Sequence, residues 1–134
     1  MLMYTSMNRS AANAYRQVGV QSVVDGASPH TLIQLLFDAL EASLNAAKGA
    51  MQRGEIEEKG RQIGKAVRIL EEGLKASLNM QQGGEVAQNL ASLYDYSINQ
   101  ITLANLRNDL ALLETAQSVI APVAQGWREM GQAI

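Results

Sequence analysis

Apolar residues recur three and four positions apart along most of the chain, in four stretches separated by short runs of Gly, Gln, Asn and Asp. The first stretch opens at Ser28-Pro29, a hydroxyl acceptor followed by a residue with no N–H to leave unsatisfied. Leu32, Ile33, Leu35, Leu36, Phe37, Leu40, Leu44, Ala47 and Met51 predict a helix from there to about Arg53, apolar around most of its circumference at the start. Gly54 punctuates. A second helix is predicted over about Glu55 to Met80, with Ile56, Ile63, Val67, Leu70, Leu74 and Leu78 as its core stripe. Its outer face reads as solvated, through the four-apart pairs Glu55–Lys59, Glu57–Arg61 and Glu71–Lys75.

Gln81-Gln82-Gly83-Gly84 breaks the pattern, and a third helix runs from about Glu85 to about Asn105. It carries two adjacent stripes: Val86, Leu90, Leu93, Ser97, Ile101 and Ala104, then Ala87, Tyr94, Ile98 and Asn105. Both are satisfied only if the helix touches more than one neighbour. Asn108 and Asp109 are N-cap candidates for a fourth helix with Leu113, Ala116, Ile120, Val123, Trp127, Met130 and Ile134 in coiled-coil-like alternation. Pro122 lies inside this pattern and predicts a kink near Val119. Short connections make sequential helices antiparallel. The expected fold is all-α: an antiparallel up-down-up-down four-helix bundle over residues 28–134. An arm over residues 1–27 precedes it, with room for a short helix around Ser10 to Gln17.

Charge changes the picture most. Only Glu85 and Asp95 are charged between residues 85 and 106, against eleven charged side chains in residues 53–75. A helix without a charged outer face is either enclosed by protein or kept apolar for a partner, and enclosure on all sides is hard to arrange in 134 residues. This favours a binding protein over an enzyme. Homodimerisation through the apolar surface is the alternative use. A net charge of −2 gives no basic footprint for nucleic acid or anionic lipid. No apolar run approaches the length of a membrane span, and Met1 to Ser10 lacks the apolar stretch of a signal peptide. With no cysteine to form a disulfide, a cytoplasmic location is expected.

Candidate chemistry is sparse. His30 is the only histidine, and a Glu-x-x-His dimetal motif is absent. Without cysteine, no nucleophile–base pair assembles around that one imidazole. Gly83-Gly84 lacks the Lys-Ser/Thr of a phosphate loop. No catalytic residue, cofactor or metal is expected. Two alternatives stay open: a phosphotransfer bundle that uses His30, and a structural homo-oligomer.

Several short motifs add a resemblance. Ala14-Tyr15, Val18-Gly19-Val20-Gln21-Ser22 and Ser28-Pro29-His30-Thr31-Leu32-Ile33 resemble the opening of the FliS family of flagellar export chaperones. So do Ala50-Met51, Gly54, Lys59-Gly60 and Ile63-Gly64-Lys65-Ala66 in the middle of the chain. Further on come Ser77-Leu78-Asn79, Gly83-Gly84-Glu85-Val86-Ala87, Asn89-Leu90, Leu93-Tyr94, Ala104-Asn105, Asn108-Asp109 and Trp127. Their order and spacing carry the likeness, and Pro122 has no place in it. The resemblance implies a cytoplasmic chaperone that binds the disordered C-terminal segment of flagellin, prevents premature polymerisation and presents the subunit to the export gate.

Taken with the charge-poor third helix, it points to Tyr15, Val18 and Val20 in the arm as partner-binding residues. Leu90, Tyr94, Ile98 and Ile101 would form a groove, with Leu36 and Leu40 behind them.

Overall fold

The computed structural model describes residues 27–133, with side chains through Gly131. The arm, the short helix expected in it and the Ile134 position of the fourth stripe lie outside the described residues. Helix α1 spans Pro29–Gln52. Ser28, in an extended conformation, starts it: its Oγ accepts the Thr31 N–H at 3.1 Å, and Pro29 occupies the first turn. Gly54 at φ +72° turns the chain, a region that favours glycine. Helix α2 spans Ile56–Arg68 and continues as a π-helical segment over Ile69–Lys75. The wider turn is visible in the Ala76 N–H donating to the Glu71 carbonyl at 3.1 Å, and the Ser77 hydroxyl then donates to the Gly73 carbonyl.

A turn through residues 76–83 leads to α3, Gly84–Arg107. Asn108, left-handed at φ 51°, ends α3, a conformation that asparagine tolerates better than most residues. The Asp109 carboxylate accepts the Ala111 N–H at 3.0 Å and so starts α4, Leu110–Ala133.

Cross-helix contacts fix the topology. Pairs between α1 and α4 descend one helix as they climb the other: Lys48–Glu114 at 3.0 Å, Asn45–Gln117 at 2.9 Å and Asp38–Arg128 at 3.3 Å. Between α2 and α3 the same reversal appears. Lys59 Nζ donates to the Asn105 carbonyl (3.2 Å) and Asn108 Oδ1 (3.1 Å), while Lys75 meets Asp95 at 2.6 Å. Sequential helices pack side by side, and α4 returns to α1. The result is the antiparallel four-helix bundle. Leu36, Phe37, Leu40 and Leu44 of α1 meet Ile63, Leu70 and Leu74, Tyr94 and Ile101, and Leu113 and Ile120 in one core.

Several expectations need correction. None of the three four-apart pairs on the second helix is the contact that forms. Arg61 bonds Glu58, and Lys75 crosses to Asp95. Lys59 is 7% exposed, and its ammonium closes the C-terminal end of α3, where the helix dipole favours a cation. Helical pairs are worth so little individually that tertiary partners displace them. The Asp95 hydrogen bond raises the Lys75 pKa above its ordinary value. That contribution therefore persists at neutral pH and is lost only as pH rises beyond the lysine range.

Ile56 is 74% exposed because it lies at the first position of α2, before the helix meets its neighbours. The second helix ends in the π segment rather than continuing to Met80. Ala124 takes the core position expected of Val123, one residue on, and α4 continues unbroken past Pro122. Pro122 and Ser118, whose carbonyl loses its donor, are both exposed, on the side of the helix where the lost bond costs least.

The α1/α4 seam closes on a clasp. The His30 ring stacks on Trp127 at 4.4 Å between centroids and 9° between planes, and Trp127 Nε1 donates to the His30 carbonyl at 3.1 Å. A Cβ on Gly131 would collide with His30 Nε2. Gly126, by contrast, has open space where its Cβ would be.

Urea unfolding of four variants checks these assignments. Lys59→Ala removes a charged donor from two acceptors and should cost about 1.5–3 kcal/mol. Gly126→Ala should stabilise by about 0.5–1 kcal/mol through helix propensity, whereas Gly131→Ala should destabilise, because overpacking of about 1–3 kcal/mol outweighs that gain. Pro122→Ala, at an exposed helix-interior position, should stabilise by on the order of 1–3 kcal/mol.

Candidate partner-binding site

The four seams of the bundle differ in chemistry. The α1/α4 seam is polar, through Lys48–Glu114, Asn45–Gln117 and Arg128, which reaches both Asp38 and Glu41 (3.5 Å). The α2/α3 seam is tied by Lys59 and Lys75. Asp95 turns one flank of α3 towards α2, so at about 100° per residue Leu93, Tyr96, Gln100 and Leu103 fall on the other flank, towards α4. Glu114, Gln117 and Arg128 likewise turn one flank of α4 towards α1. Leu112, Val119, Val123 and Met130 are left facing α3.

These two flanks, charged only at the ends of α3 through Glu85 and Arg107, border one groove. Leu93, Leu103, Leu112, Val119 and Val123 are half-buried, while Tyr96 (46%) and Met130 (44%) are open to solvent. Val86, 52% exposed, stands in the first turn of α3, although its spacing matches a core position. Such a groove presents apolar surface with hydroxyl and thioether contacts that adapt to different shapes.

The expected site residues separate into three groups. Leu90 and Ile98 are half-buried on α3 and packed against the core. Leu36, Leu40, Tyr94 and Ile101 are fully buried core residues and form no open groove wall. A helix packed on two sides hides both stripes, and the periodicity of apolar residues marks what is buried rather than what is left over. Tyr15, Val18 and Val20 lie outside the described residues. Sequence reasoning missed Tyr96, Leu103, Leu112 and Val119, which lie beside the core stripes. The signal available for them was the absence of charge along both helices.

His30 offers little as a phosphoacceptor. Its Nδ1 is buried without a hydrogen-bond partner, its Nε2 faces Gly131, and one ring face lies on Trp127. Neither nitrogen has room for a phosphoryl group in this arrangement. Among the described residues, no three His, Asp or Glu side chains converge as metal ligands, and no helix is long and apolar enough to cross a membrane.

Comparison with known proteins finds relatives along most of the chain. The family described as flagellar protein FliS matches residues 11–134. The flagellar secretion chaperone FliS of Salmonella typhimurium is 41% identical over 96% of this chain and 93% of its own length. FliSB of Pseudomonas aeruginosa, also named a flagellar secretion chaperone, is 43% identical over 87% of this chain and 92% of its own length. The Bacillus subtilis chaperone FliS is 25% identical over 84% of this chain and 83% of its own length. With most of its length matched by the family, and by relatives well above the identity at which kinship is secure, this chain belongs to the FliS family of flagellar secretion chaperones.

Proposed function

We propose that this protein binds the disordered C-terminal region of flagellin in the cytoplasm, keeps it from polymerising prematurely and helps deliver it to the flagellar type III export gate. The observation that carries this reading is the apolar α3/α4 groove, left half-open by a bundle whose α1/α4 and α2/α3 seams are tied by polar pairs. A disordered client would fold there as an amphipathic helix, setting its apolar side chains between Leu93, Tyr96, Leu103 and Val123. Leu90 would extend the contact, with Ile98 on the α2 side of α3 and Tyr94, Ile101, Leu36 and Leu40 as the packed floor that keeps the surface preformed. A preformed groove matters because ordering the client consumes part of the binding free energy.

In the same reading, the arm carrying Tyr15, Val18 and Val20 covers apolar surface until the client displaces it. The groove is also where two free copies would pair, so a dimer that dissociates on client binding fits this mechanism. No step requires catalysis, a cofactor, nucleic acid or membrane insertion.

Calorimetry with the C-terminal segment of flagellin from the same organism tests the proposal. Binding should show a clearly negative heat-capacity change. With charge confined to Glu85 and Arg107 at the two ends of the α3 flank, affinity should change by no more than about twofold between about 0.05 and 0.5 M salt. Tyr96→Asp should weaken binding by about tenfold or more at an unchanged melting temperature. Absence of binding by a folded wild-type protein would refute the assignment.

A further inference from the structure

The π-helical segment Ile69–Lys75 has a specific cause in the sequence. Buried residues there come in doublets that step by four: Ile69–Leu70, Gly73–Leu74 and Ser77–Leu78. In an α-helix of 3.6 residues per turn, a four-residue step drifts by about 40° each time, and Ser77–Leu78 would leave the core face. The wider π turn cancels this drift and keeps all three doublets inward. Its exit is fixed by the Ser77 hydroxyl on the Gly73 carbonyl and by Lys75 on Asp95 of α3. Directly after it come the exposed Met80 and, across the turn, the exposed Val86. Long π runs are rare, and they concentrate at functional sites because their cost must be offset by something the α form does not provide.

We propose that this π segment is the positioning element of the partner-binding surface: it sets the azimuth at which α2 hands the chain to the 76–83 turn, and so the placement of Met80 and Val86 at the mouth of the α3/α4 groove. This inference rests on the client reading above. The relevant variable is the number of residues in the segment rather than the identity of its exposed side chains. Glu72 is exposed and lies within the segment. Removing it leaves an α-length helix, whereas replacing it leaves the π count intact.

The test uses the full-length protein and the synthetic C-terminal segment of flagellin as probe, read by calorimetry and by thermal unfolding. Glu72→Ala should bind as wild type. Deletion of Glu72 should retain helical circular dichroism and a cooperative melt, yet bind about tenfold more weakly or worse. Equal affinity for the deletion and for wild type would overturn the proposal. If the deletion does not fold, Ser77→Ala decides, since it removes the hydroxyl that bonds the Gly73 carbonyl at the end of the π segment. Faster hydrogen exchange at residues 74–78 with severalfold weaker binding and an unchanged melting temperature supports the proposal, and unchanged affinity overturns it. Failure of wild type itself to bind the segment would refute the client reading instead, so the two failures are distinguishable.

Discussion

Four helices joined by short links can each be covered by only two neighbours, and α3 and α4 have few charges with which to face water on the remaining side. This geometric constraint organises the molecule. Each helix spends its polar side chains on one seam: α4 towards α1, α3 towards α2. What remains on both is the flank they share. A polar pair across that flank would have closed the bundle evenly but removed the apolar surface. Surface ion pairs contribute little to stability. Their placement matters more as a register for the antiparallel helices than as a source of free energy.

The core explains how such an open seam is tolerated. Leu, Ile and Ala fill it almost entirely, and the fully buried Phe37 and Tyr94 supply the bulk. Small residues at Ala47, Ala66, Ala104, Ala116 and Ala124 let the helices approach closely, so that the middle of the bundle is fully buried although one side is half-covered. The ends are held separately, by Lys59 at one and the His30–Trp127 stack at the other. Stability thus resides in the centre and the two ends, and the α3/α4 flank is free to be shaped by recognition.

Much of this was legible before any coordinates. Ser28-Pro29, Gly54, Gly83-Gly84 and Asn108-Asp109 mark the helix boundaries, because each is a local event governed by capping or by a left-handed backbone. The four core stripes follow from the 3.6-residue repeat. The π segment was hidden because its doublets also fit a loose three-and-four spacing, and only their strict step of four betrays it. Lys59 looked like a surface residue since its partners, Asn105 and Asn108, are distant in sequence. The groove eluded periodicity for a related reason: Tyr96, Leu103 and Val119 depend on which flank a third helix leaves uncovered, a relation between helices that no single helix encodes.

The stack of His30 on Trp127 has a practical side. The chain contains one tryptophan and one histidine, and the fold has set them face to face where the polypeptide enters the bundle. Indole emission depends on what lies against the ring. The protein therefore carries a built-in optical gauge at the root of its N-terminal segment, and events at that junction can be followed in the unlabelled molecule.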